Sequence, residues 1–150
     1  MLKPAIVQRD HTRALDVLGV EVRFLCPGDM TGRAFSLMEL VIPTGEGPPP
    51  HHHDWAEAYY VVSGAVEFHI EGEHSVVGAG DFAFTPAGAV HGFRGASDEP
   101  ARMLVFDAPA HAEHFFREFD REVGKSPQDF AKAPEIGARH GIHFLPPKAA

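Results

Sequence analysis

From Gly19 to about Ala108 the chain is a succession of short apolar runs cut by turn residues, among them VEVRFL (20–25), AFSLMELVI (34–42), AYYVV (58–62) and RMLVF (102–106). Runs this short, rich in β-branched and aromatic residues, read as strands. In AVEFHIE (65–71), Val66, Phe68 and Ile70 share one face while Glu67, His69 and Glu71 share the other, so one side is buried and the other wet. Ser63-Gly64 reads as a tight hairpin and Glu71-Gly72-Glu73 as the next turn of the same antiparallel meander. The 15 glycines and 13 prolines supply such turns and disfavour long helices. About nine short strands in roughly ninety residues call for a closed barrel or a jelly roll, because an open sheet would leave long unpaired edges.

The period changes after Pro109. Ala112, Phe115, Phe116, Phe119 and Val123 fall at helical spacing, with Gly124 placed to stop the helix, and this face is expected to dock on the barrel. Ser126-Pro127 reads as an N-cap and first helical residue of a short second helix through Phe130, and HGIHFLPP (140–147) as irregular. At 150 residues the expectation is one domain (1–150), with an N-terminal segment 1–18, a barrel 19–108 and a helical tail 109–150.

A formal charge of −8 and the scarcity of clustered Lys and Arg argue against a nucleic-acid-binding surface, so no nucleic-acid partner is expected. MLKPAIVQRDHTR has no apolar stretch of signal-peptide length and no later window approaches a membrane span, which gives a cytoplasmic expectation with no membrane partner. Cys26 is the single cysteine; it rules out an intrachain disulfide or a thiolate cluster, and in VRFLCPG it reads as a structural thiol.

Chemistry concentrates in GEGPPPHHHDWAEAYYVVSG (45–64). On an extended chain His51, His53 and Glu57 share one parity, so two imidazoles and a carboxylate can lean onto one divalent ion, while His52 points away. Pro48 to Pro50 hold the approach extended and offer no competing amide hydrogens. A fourth ligand candidate, His91, follows a Pro-x-Gly turn in GDFAFTPAGAVHGF (80–93) and could reach the others across a barrel wall.

These two segments resemble the two motifs of the cupin superfamily. The first, G(X)5HXH(X)3-4E(X)6G, is met by Gly45, His51, His53, Glu57 and Gly64; the second, G(X)5PXG(X)2H(X)3N, by Gly80, Pro86, Gly88 and His91, with Gly95 where the family has Asn. The resemblance implies an all-β, cupin-type double-stranded β-helix (jelly-roll) barrel with short C-terminal helices, and a divalent transition metal (Fe, Mn, Ni, Co, Cu or Zn) held by His51, His53, Glu57 and His91. The YVVSG-like strand, GDFAFTPAGAVHGFR and the phenylalanine-rich HAEHFFREF are similar to single-domain cupins of the quercetin-dioxygenase-like group. That group implies a metal-dependent dioxygenase acting on an aromatic or enolic substrate. Small cupins also commonly pair, so a homodimer is expected, with VEVRFL as a candidate contact.

Glu57 is a candidate proton acceptor as well as a ligand. Tyr59, of the same parity, is either a substrate-orienting hydroxyl or a core residue. Phe68, Phe82, Phe84, Phe93, Met38 and Met103 are candidates for the barrel interior and would make the cavity apolar, suited to an apolar or aromatic small molecule. Arg94 has the wrong parity to face inward, which disfavours a polyanionic substrate. Trp55 is a lid or a buried anchor, and His69, His74, His111, His114, His140 and His143 read as surface or packing residues. Four-coordinate zinc would leave no open position, whereas an octahedral ion leaves two. The competing readings are a binding or sensing protein that holds a ligand without turnover, and a metal-dependent isomerase or lyase, which would need a polar cavity.

Overall fold

The structure is a computed structural model describing residues 1–123 and 126–146. Among the described residues there are eleven strands: β1 (Leu15–Val17), β2 (Val20–Cys26), β3 (Ser36–Ile42), β4 (His51–His52), β5 (Ala56–Ser63), β6 (Ala65–Ile70), β7 (Glu73–Gly78), β8 (Phe82–Thr85), β9 (His91–Gly95), β10 (Ala101–Ala108) and β11 (His143–Phe144). They form a six-stranded sheet in the order β1-β2-β3-β10-β5-β8 and a five-stranded sheet in the order β11-β4-β9-β6-β7. All named strand pairings are antiparallel. This is the cupin jelly roll, with the core between the sheets: Met38, Leu40, Tyr59, Val61, Met103 and Val105 from one, Val66, Phe68 and Phe93 from the other.

The alternation in 65–71 holds, with Val66 and Phe68 buried and Glu67 and His69 on the outer face. Glu71 and Gly72 both have positive φ (51° and 83°), as a two-residue turn between β6 and β7 requires. Ser63-Gly64 is not a hairpin, however. β5 and β6 belong to different sheets, and this corner carries the chain from one to the other. Gly64 fits because a side chain there would collide with the backbone of Ala101 at 2.9 Å.

Phe82 and Phe84 do not enter the interior. They lie on the outer face of β8, 63% and 54% exposed, because β8 presents Ala83 and Thr85 inward instead. Met38, Phe68, Phe93 and Met103 are buried as expected.

Helix α1 (Glu113–Glu122) buries Phe115 and Phe119 and is tied to the β1 region, where Asp120 accepts hydrogen bonds from the Asp16 amide (2.8 Å) and from Arg13 (2.8 Å). The proposed stop at Gly124 lies outside the described residues. Ser126 makes no side-chain capping bond; Pro127–Lys132 form a 3-10 turn that runs into a helix absent from the sequence reading, α2 (Ala133–Arg139), which buries Ile136. Nor is the 140–147 segment irregular as far as it is described: β11 pairs with β4, and the Leu145 amide donates to the Pro50 carbonyl at 3.0 Å. Ile142 is buried. Two ordered residues in an apolar tail are too few to show periodicity, so only the partner strand reveals them.

Candidate metal centre

The PPP segment delivers the chain into β4, where His51 is paired directly with His91 of β9. The two histidines are therefore neighbours in one sheet, not partners across the barrel. The facing sheet contributes Glu57 and Tyr59 from β5. His52, of opposite parity, turns to the other side and packs on His143 of β11 (ring centroids 5.2 Å).

The three inward histidines share one hydrogen-bonding pattern. Nδ1 of His51 bonds the Pro49 carbonyl (2.9 Å), Nδ1 of His53 the Trp55 carbonyl (3.0 Å), and Nδ1 of His91 the Ala89 carbonyl (2.8 Å). A carbonyl only accepts, so each Nδ1 carries the proton and each Nε2 presents a lone pair. Ligand atoms of the three rings all lie within 4.8 Å of one another. Nε2 of His91 is buried with no hydrogen-bond partner, and Nε2 of His53, buried as well, meets the Glu57 carboxylate. Lone pairs gathered in a dry place repel one another unless a cation lies between them, so the donor set fits a borderline-soft divalent ion.

Packing fixes the rings. Trp55 is only 3% exposed, an anchor and not a lid; it stacks on His53 (4.0 Å, 8° between planes) and carries His111 on its other face (5.1 Å, 11°). Burial pushes the His51 imidazole down to about 4, with His91 adding to the effect, and burial likewise lowers His91. Both are neutral at physiological pH, the form in which imidazole binds metal.

Glu57 stands beside this triad. Its Oε1 is in close contact with Nε2 of His53, and its Oε2 accepts the Tyr59 hydroxyl at 2.8 Å. Burial alone would raise the carboxyl, but a proton or cation shared with Nε2 of His53 outweighs it and holds Glu57 below the usual carboxylate range. Burial and the Glu57 charge raise the Tyr59 phenol well above its ordinary value, so Tyr59 is a neutral donor.

Asp107 on β10 is paired in register with Glu57 and is fully buried; Oδ2 accepts the Ala112 amide at 3.2 Å, and burial followed by the Glu57 charge pushes its carboxyl well above the ordinary range. Its parity with Met103 and Val105 marks it as inward in the sequence, an unusual place for a carboxylate that the sequence reading passed over.

His51 and His53 open on a cavity of about 50 Å³ whose lining is completed by Glu57, Tyr59 and otherwise apolar side chains, with His91 set back from it. Met38 and Phe93 contribute as expected, but the far wall is unexpected: Phe115 and Phe116 of α1 with Ile142 and Phe144 of the tail. Arg94 faces outward to Glu67, and Arg102 pairs with Glu39, so neither cation enters it. Gly95, which stands where the motif has Asn, is required here because a Cβ would lie 2.2 Å from the Pro43 carbonyl oxygen.

Residues 38–107 match the family described as Cupin domain. The chain is similar to a quercetin 2,3-dioxygenase of Bacillus subtilis, 30% identical over 108 residues that make up 71% of this chain and 30% of that protein. It thus spans under a third of that relative's length. It is also similar to the polyketide synthase CurC of Streptomyces cyaneus, 26% identical over 142 residues, 93% of this chain and 92% of that protein. Among solved structures, the polyketide cyclase RemF from Streptomyces resistomycificus superposes with a TM-score of 0.63 at 26% identity, covering 71% of this chain and 80% of that one.

Proposed function

Taking as premise that this chain has the cupin fold, with a cupin domain across residues 38–107, we propose that it is a metal-dependent enzyme acting on an apolar aromatic or enolic small molecule, with dioxygenation as the reaction. The observation that carries the reading is the set of three imidazole ligand atoms within 4.8 Å of one another, with Nε2 of His91 buried without a partner, beside an otherwise apolar cavity that His51 and His53 line. His51, His53 and His91 would hold the ion, with Glu57 as the adjacent carboxylate. Once bound, a divalent transition ion supplies Lewis acidity that favours the ionised form of an enol or phenol and, if redox-active, a route for electrons to dioxygen.

The protein's own groups do the rest. Glu57 takes the proton from the substrate hydroxyl, and Tyr59 keeps the carboxylate aimed by donating to its other oxygen. Phe93, Phe115, Phe116 and Phe144 pack the organic skeleton and exclude water. The absence of a cavity-lining cation among the described residues favours a substrate without phosphate or carboxylate groups.

The similarity to CurC over nearly the whole of both chains, together with that to RemF, supports a second reading, ring closure of a polyphenolic substrate with no oxygen consumed. The test is oxygen uptake on a panel of flavonols and phenolic polyketides with Fe-, Mn-, Ni- and Co-loaded protein. Uptake matched to substrate loss supports dioxygenation, product without uptake supports cyclisation, and no turnover with any pairing counts against both.

A further inference from the structure

A second group of ligating side chains lies on the outer face of the five-stranded sheet, away from the cavity. His69 of β6 and His74 of β7 face each other across the hairpin in register, with ring centroids 3.9 Å apart. Glu67, two residues back on the same face of β6, brings Oε1 to 3.2 Å from Nδ1 of His74 and 3.5 Å from Nε2 of His69. Nε2 of His69 is buried yet has no hydrogen-bond partner. On its other side His69 is in register with Gly92, where a Cβ would meet the Pro48–Pro50 backbone at 3.0–3.1 Å.

Arg94 organises the carboxylate. Its Nε and Nη2 both donate to Oε2 of Glu67 (3.0 and 2.8 Å), which leaves Oε1 turned toward the imidazoles. One potential ligand atom from each of Glu67, His69 and His74 lies within 4.8 Å of the others, and His74 is 58% exposed, so an ion can enter from solvent. Glu67 and His74 are seven residues apart in the chain and meet only across the β6–β7 turn, so no local spacing marks the group.

We propose that Glu67, His69 and His74 form a second, surface site for a borderline divalent ion of the Zn²⁺, Ni²⁺ or Cu²⁺ type. Two imidazoles and one carboxylate suit these ions and not Mg²⁺ or Ca²⁺, and three protein ligands leave a coordination position for water. The site pins β6 to β7 and is independent of the cavity site, with which it shares no residue.

Zinc titration of the whole protein, with bound metal counted after dialysis, tests it. The variant H69A/H74A is expected to bind one ion fewer than wild type, whereas H91A keeps the hairpin ion; E67Q weakens that ion without abolishing it. Added Zn²⁺ is also expected to slow amide hydrogen exchange across residues 65–78 in wild type and in H91A, but not in H69A/H74A. Equal zinc content in wild type and folded H69A/H74A, or equal protection of the hairpin in both, overturns the proposal. If the cavity site itself fails to bind, wild type and H91A both retain the hairpin ion while H69A/H74A has none, so the two claims fail separately.

Discussion

The Tyr59 hydroxyl donates to Oε2 of Glu57 at 2.8 Å, joining two residues that alternate along one strand and both face the cavity. This bond stabilises the ionised carboxylate. Tyr59→Phe removes the donor and is expected to lower stability at neutral pH by about 1.5–3 kcal/mol. It also raises the Glu57 carboxyl, because the charged form has lost a partner. Chemical denaturation checks the first expectation. An upward move of the acid limb of the pH–rate profile checks the second, which a purely structural role for Tyr59 would not produce.

Asp107 makes an opposite prediction about pH. Burial raises its folded-state carboxyl above the unfolded value, so its favourable contribution is present below the ordinary carboxylate range and is lost as pH rises through the raised one. Asp107→Asn keeps an acceptor for the Ala112 amide and removes the charge. The variant is expected to melt higher than wild type at pH 7, with the gap shrinking toward pH 4. Melting curves at both values check it; a lower Tm for the variant at pH 7 would contradict it.

Phe144 closes the cavity from a two-residue strand held to β4. A space of about 50 Å³ is small, so Phe144 limits the size of the skeleton the cavity admits. Phe144→Ala is expected to cost roughly 1–2 kcal/mol of stability, since the ring is only half-buried. It is also expected to lower KM for bulky substrates relative to small ones. Steady-state kinetics on a size series checks this, and a uniform change across the series contradicts it.

Much of this site was legible in the sequence because strand parity is a local property. His51, His53, Glu57 and Tyr59 face inward for the same reason that His52 faces away. His91 was identified by its turn and its motif, although its position beside His51, not across from it, depends on which strands pair. What could not be read locally is what the topology assembles. The corner at Ser63-Gly64 has the residues of a hairpin but joins two sheets, and the exposed phenylalanines of β8 look like core until their facing is known. The far wall of the cavity comes from α1 and the tail, whose approach to the barrel no window of sequence encodes. Asp107 was visible as an inward carboxylate; its significance lies in the Glu57 side chain that strand pairing places beside it.

The central claim is that the Nε2 atoms of His51, His53 and His91 hold one transition ion. X-ray absorption spectroscopy of Zn- or Ni-loaded H69A/H74A protein, in which the hairpin cannot contribute, tests it most directly. The account predicts outer-shell scattering from three imidazoles, falling to two in the same background with His91→Ala. An oxygen-only shell, or a spectrum unchanged by that substitution, would contradict it.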